Sequence, residues 1–119
     1  MSNARPLQWI GSSRRDLLTF PDGVRQTMGF ALFLAQTGDE HPNAKALKGF
    51  GGRGVLEVVE RHDGDTYRAV YTVRLEKAVY VLHCFQKKAK RGIATPKEDM
   101  DLIRKRLADA VEADRGDER

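Results

Sequence analysis

The chemistry in this sequence is concentrated in its cations. Lys87, Lys88, Lys90, Arg91 and Lys97 follow one another with no acid before Glu98, which makes a cationic lip after an apolar stretch. Arg68 lies one strand earlier, placed to reach across a sheet toward the same end. Lys48 and Arg53 come from the glycine-rich segment around GFGGRG and approach from another side. Convergence of these groups would make a phosphate-binding concavity, since Arg offers a rigid fork to phosphate oxygens and Lys a mobile point charge. The competing reading is a solvated basic surface. Arg68 has a competing reading of its own, because a guanidinium on a half-buried sheet is costly without a partner. A salt bridge to Glu57 or Glu60 on the adjacent strand would supply one.

Other chemistries find less support. His41, His62 and His83 fall in three separate segments without ligand spacing, so no metal site is expected. His83 reads as a hydrogen-bonded sheet histidine before it reads as a catalyst. Cys84, the only cysteine, reads as a small core residue and can form neither an intramolecular disulfide nor a cysteine zinc site. The glycines of GFGGRG precede a strand rather than opening a helix, which excludes a P-loop or dinucleotide fingerprint, and no cofactor is expected.

Positioning these residues falls to a chain of 119 residues, 40% hydrophobic and 32% charged, with 21 Lys and Arg against 17 Asp and Glu. That is one domain, read as spanning residues 1–119. The longest apolar run, Ala78 to Cys84, is far short of the about 20 residues that cross a bilayer. No export signal is visible, and the cytosol is the expected compartment. Leu7 to Ile10 reads as a short strand, and Ser12 or Ser13 as the cap of a helix from Arg14 to Phe20. Val24, Met28, Ala31, Leu32 and Ala35 predict a helix over Asp22 to Thr37, closed by Gly38. Asp39 to Arg53, with Lys45 and Lys48, reads as a loop.

Three β-rich segments follow, Val55 to Glu60, Tyr67 to Arg74 and Ala78 to Gln86. Asp63-Gly64 marks the first turn between them and Leu75 to Lys77 the second, so the three make an antiparallel meander. Simple alternation puts Val79, Val81, His83 and Phe85 on one face of the third strand and Tyr80, Leu82 and Cys84 on the other. Thr95-Pro96-Lys97-Glu98 has the form of a capping box, with Pro at the first helical position of a closing helix through Met100, Ile103, Leu107, Ala110 and Val111. Residues 1–6 and 114–119 are expected to fray. The order β, α, α, β, β, β, α predicts a small α+β domain with helices against an antiparallel sheet.

This order of elements carries a resemblance. KALKGFGGRGVLEVVE, YRAVYTV, VYVLHCFQKKAKRGIATP and the closing helix together resemble the RelE/ParE toxin superfamily, and most of all its HigB-like, phage-related branch. The resemblance runs from Leu7 to about Val111. Its most specific elements are the Tyr67-Arg68 strand, the Phe85-x-Lys87-Lys88 strand end and Thr95-Pro96. It implies the toxin of a toxin-antitoxin pair: a ribosome-dependent endoribonuclease that cuts mRNA and is silenced by a helix-turn-helix antitoxin. In that light Arg68 matches the strand arginine at the scissile phosphate and Lys88 the basic residue that stabilises the leaving group. Lys48 falls in the loop that holds RNA, with Arg53, Lys87, Lys90 and Arg91 around it. Two departures concern the base: RelE has lysines where this chain has Leu56, Glu57 and Val58, and a tyrosine where it has Ala94 or Thr95.

Metal-free cleavage uses the 2′-hydroxyl of the RNA as nucleophile, a base to take its proton, cations for the pentavalent phosphate and an acid for the leaving 5′-oxygen. Glu57 or His83 would serve as base only if the fold turns it toward Arg68. An Arg68→Ala protein is expected to lose toxicity with its fold intact. Two other readings stand beside the ribonuclease. One is a toxin of the same fold acting on another target, such as DNA gyrase in the ParE manner, and the other is a noncatalytic phage-derived module that binds nucleic acid. An antitoxin could mask the basic lip directly or dock on the helical side, where Arg25, Gln26 and Gln36 are expected to be exposed. The basic lip makes a direct prediction about salt. Replacing Lys87, Lys88 and Lys90 together by Ala should lower the slope of log affinity against log salt for RNA or ribosomes, by about one unit for each phosphate-binding lysine removed. Filter binding over a salt series reads this out, and an unchanged slope would leave the three as solvated charge.

Overall fold

The computed structural model describes residues 4–52, 54–87 and 95–116. In chain order the elements are β1 (Leu7–Trp9), α1 (Ser13–Leu17), α2 (Asp22–Gln36), β2 (Ala44–Ala46), β3 (Val55–His62), β4 (Asp65–Thr72), β5 (Val79–Lys87) and α3 (Lys97–Arg115). The five strands form one sheet in the order β1-β5-β4-β3-β2, with β1 parallel to β5 and the other neighbours antiparallel. This is the expected α+β domain, with one added strand. β2 lies inside the segment that reads as a loop, because three residues, Ala-Lys-Ala, are too few to show a period.

The meander is set by its turns. Asp63 (φ 50°) and Gly64 (φ 83°) both take left-handed conformations, the geometry of a two-residue hairpin whose twist matches its strands. It pairs Val59 with Arg68 and Glu57 with Val70. Alternation then divides the side chains between two cores. Leu56, Val58, Tyr67, Ala69 and Tyr71 turn toward α1 and α2, where they meet Leu17, Phe20, Met28 and Leu32. Val55 and Val70 turn toward α3 and pack with Ile103, Leu107 and Ala110. The domain thus has three layers, two helices on one face of the sheet and one on the other.

Strand β5 departs from simple alternation. Val70 pairs with His83 but Tyr71 with Val81, which leaves Leu82 as an extra residue, a β-bulge. Val79, Val81 and Cys84 therefore face α1 and α2, while Tyr80, Leu82 and Phe85 face α3. This corrects the alternating assignment of Cys84, His83 and Phe85, since one inserted residue inverts every position beyond it. The carbonyls at the bulge have partners. The Leu82 oxygen accepts from Arg106 Nη1 at 3.0 Å, and the Val81 oxygen accepts from Ile10 N at 3.0 Å and from Ser13 Oγ at 3.1 Å. Arg106 lies so close to Gly11 (φ 60°) that a Cβ there would stand 2.7 Å from its Cζ. A side chain there would have to displace the Arg106 guanidinium and hold a left-handed backbone, a conformation that favours glycine.

The helix termini differ from expectation in three places. α1 is shorter than Arg14 to Phe20, and Phe20 beyond it packs edge-on against Tyr67, with ring centroids 4.9 Å apart. The capping box of α3 does not form. Pro96 (ψ 152°) is itself the last extended residue, without a side chain that can cap, so Thr95 is displaced outside the helix. Both ends of the described chain are held where fraying was expected. Arg5 donates to the carbonyls of Val73 (3.1 Å), Leu75 (2.7 Å) and Ala35 (3.3 Å). α3 continues through Asp114, whose carboxylate accepts from Lys77 N (2.8 Å), Glu76 N (3.1 Å) and the Tyr80 hydroxyl (3.0 Å). Of the exposed helical positions expected on α2, only Gln26 is open. Arg25 pairs with Asp22, and Gln36 donates to the Arg5 carbonyl.

Among the described residues no helix is long and apolar enough to cross a membrane.

Partial burial alone would raise the Asp114 carboxyl, but the Lys77 and Glu76 amides and the Tyr80 hydroxyl hold it below its ordinary value. A carboxyl lowered on folding stabilises the native state above the ordinary carboxylate range, and that contribution is lost as pH falls through its folded pKa. Asp114→Ala is therefore expected to lower Tm by about 5 °C near pH 7. The gap from the parent protein should narrow as pH falls below the ordinary carboxylate range, which thermal unfolding across pH measures.

Candidate functional site

Arg68 and Glu57 are the centre of the site, and strand register brings them together. Arg68 stands opposite Val59 and Glu57 opposite Val70, so the two side chains are diagonal neighbours on the face that carries α3. Arg68 Nη1 lies 2.9 Å from Glu57 Oε1, and both residues are only 5% exposed. Of the two partners open to Arg68 in the sequence, the structure selects Glu57. Glu60 stands opposite Tyr67 and accepts a 3.5 Å hydrogen bond from Asn43 Nδ2.

Above the pair is a pocket of about 410 Å³ lined by Lys45, Ala46, Leu47, Lys48, Glu57, Arg68, Thr95 and Met100. Its floor is sheet, its near wall is β2 with the residues that follow it, and its far wall is the start of α3. α3 packs chiefly along β5, and the pocket lies beside it, over the Glu57–Arg68 pair. Lys45 is the register partner of Glu57 across the β2–β3 ladder. Charges of alternating sign, Lys45, Glu57 and Arg68, thus cross three strands in a row. Such an arrangement can receive an anion at its cations while offering a carboxylate oxygen as proton acceptor.

The residues singled out from sequence divide into three groups. Lys48, Glu57 and Arg68 line the pocket together. Lys87 ends β5 opposite Thr66, on the same face as Arg68 and one alternate position beyond its partner Phe85, outside the lining. Arg53, Lys88, Lys90 and Arg91 lie outside the described residues. His83 does not line the pocket. Its Nε2 is 2.7 Å from Asp99 Oδ1 on the first turn of α3, and its ring stacks on Phe85 at 4.5 Å. It ties α3 to the sheet, so of the two candidate bases only Glu57 lines the pocket with Arg68.

Lys45, Thr95 and Met100 enter the site unannounced. Lys45 could have been found from its spacing of three to Lys48, but nothing in the sequence marks the strand that aims it. Thr95 reaches the pocket because Pro96 displaces it from the helix. Cys84 is no nucleophile: burial, with the Asp16 carboxylate adding and Arg106 opposing, pushes its thiol up to about 12. Among the described residues no group of three or more His, Cys, Asp or Glu could hold a metal ion.

A family model described as Phage derived protein Gp49-like (DUF891) matches residues 15–108, a span that contains every residue lining the pocket. No curated protein and no solved structure matches the chain.

The buried pair changes what a single substitution does. Arg68→Ala would leave the Glu57 carboxylate buried without its partner, which costs about 3–5 kcal/mol, so the expectation of an intact fold does not hold. Replacing both members, as Arg68→Met with Glu57→Leu, should come within about 1 kcal/mol of the parent protein. Urea unfolding of the two single variants and the double variant measures this coupling, and equal losses in all three would exclude it.

Proposed function

The chain belongs to the Gp49-like phage-derived protein family, a relative of the RelE/ParE-type toxins, and from that premise we propose that it is a ribosome-dependent mRNA endonuclease of the HigB-like branch. The observation that carries the reading is the pocket in which a buried Arg68–Glu57 pair faces Lys45 and Lys48. In the proposed reaction Glu57 takes the proton of an RNA 2′-hydroxyl, and the oxygen attacks the adjacent phosphorus. Arg68 stabilises the charge that builds on the phosphoryl oxygens. The bond to the 5′-oxygen then breaks, that oxygen takes up a proton, and the products are a 2′,3′-cyclic phosphate and a 5′-hydroxyl end. Lys88 is assigned to the leaving group by resemblance. A site with one carboxylate and few aligned acids gains most from a partner that orients its substrate, which is the part the ribosome plays in this reading.

The same proposal gives the protein a cytosolic setting and a helix-turn-helix antitoxin. Among the described residues, the exposed large apolar side chains Leu18, Phe30 and Phe33 all fall in the α1–α2 layer, on the side of the sheet away from the pocket. That favours an antitoxin docked on the helices rather than in the cationic pocket. Simultaneous binding of short RNA and antitoxin would agree with this arrangement, and full competition would overturn it.

The decisive experiment is mapping of mRNA 5′ ends in a translating extract. The protein is expected to cut mRNA only when ribosomes translate it, and the folded Arg68→Met, Glu57→Leu double variant to cut at least about a hundredfold more slowly. A 2′-deoxy nucleotide at the cleavage position should abolish the cut. Ribosome-independent growth arrest without cleavage would favour a different target.

A further inference from the structure

The face of the protein away from the pocket carries an apolar patch that packing within the chain does not use. Phe30 and Phe33, about one turn apart on α2, are 52% and 55% exposed, and Leu18 at the end of α1 is 51% exposed. From Gln26 to Gly38 the chain bears no charge. Charge returns at both ends with opposite sign. Arg14 and Arg15 stand exposed on α1, ahead of the N-terminus of α2, and Asp39 and Glu40 stand exposed just past its C-terminus. Among the described residues none of these four makes an ion pair. The acidic end lies beside the patch, because the Asp39 amide donates to the Leu34 carbonyl at 2.8 Å and the His41 ring meets Phe30 edge-on at 5.7 Å.

We propose that this face is the contact of a twofold homodimer, in which α2 of one copy packs antiparallel on α2 of another. A twofold axis matches a surface with itself, so each charge must find its opposite elsewhere on the same face or be repelled by its own copy. This face meets that condition. With the axis between Phe30 and Phe33, helical spacing sets Phe30 of each copy against Phe33 of the other and Gln26 against Thr37, while the arginines of each α1 approach Asp39 and Glu40 of the other. The antiparallel arrangement also sets the positive end of one helix dipole beside the negative end of the next. The aromatic pairs supply the attraction and the end charges the orientation. Gly29 adds room, since a Cβ there would meet nothing within 4 Å and a ring from the other copy can lie against the backbone. A net charge of +4 sets two copies against each other in general, and a face neutral at its centre and opposite in sign at its ends removes that repulsion locally. The inference is independent of the ribonuclease reading. An antitoxin that docks on the same layer replaces the second copy.

Sedimentation velocity of the full chain across the micromolar range is the test. The protein is expected to pass from monomer to dimer with concentration, since a contact built on three exposed apolar side chains stands at the small end of the range. Phe30→Ser with Phe33→Ser should weaken the dimer at least about tenfold and, both side chains being exposed, leave the fold intact by circular dichroism. Arg14→Glu with Arg15→Glu should weaken self-association, and so should Asp39→Lys with Glu40→Lys. An equimolar mixture of those two variants should restore it, because opposite charges then meet at both ends. Lys105→Ala, on an exposed position of α3 paired with Asp109, should change nothing. A chain that stays monomeric throughout leaves the face to a different partner, the antitoxin included, and overturns the dimer. A dimer indifferent to the phenylalanine substitutions, or a mixture that associates no more tightly than either charge variant alone, overturns this contact as well. Cleavage of mRNA is read separately, and neither result decides the other.

Discussion

Two opposite charges sit almost wholly out of water on neighbouring strands, and the candidate site is organised around that pair. Desolvating a guanidinium and a carboxylate is costly, and the pair persists only where geometry lets each satisfy the other. Arg68 and Glu57 meet that condition at 2.9 Å because the hairpin register makes them diagonal neighbours. A slip of one residue would turn either one into the aliphatic core beneath α1 and α2. The two-residue turn at Asp63-Gly64 and the chemistry of the site therefore depend on each other.

The second constraint is asymmetry between the two faces of the sheet. The side of α1 and α2 is closed, with Met28 and Leu32 buried against a continuous apolar surface. The other side has one helix, and its apolar stripe follows β5. Val55 and Val70 pack beneath α3 on that face, and the Glu57–Arg68 pair lies beyond them, at the floor of the pocket. The bulge at Leu82 has a part in this. It turns both Leu82 and His83 toward α3, and the His83–Asp99 contact at 2.7 Å then fixes where the first turn of α3 begins. Thr95 and Met100 reach the pocket wall as a consequence.

Much of this was legible in the residues. Helical spacing located α2 to within one residue, and Asp63-Gly64 located the hairpin. The strand cation was conspicuous because a guanidinium on a half-buried sheet demands an explanation, and the salt bridge to Glu57 supplies one. Arg68 has its structural partner, and that partner is one of the two candidate bases. The faces of β5 were not legible, since a bulge leaves no mark in a run of apolar residues. Nor was β2, where three residues cannot establish a period.

What the sequence by itself determined is local: which segments form helices and strands, where a turn with left-handed residues must fall, and that cations outnumber acids around the end of β5. Propensity, periodicity and turn chemistry act over a few residues, so a single sequence carries them completely. Only the tertiary structure decided that Glu57 and not Glu60 holds Arg68, that His83 serves Asp99, and that Lys45 stands across from Glu57. Each of those outcomes follows from register and from one inserted residue in β5. Register is a relation between strands distant in the chain, settled by the joint packing of two cores and recorded in no single segment.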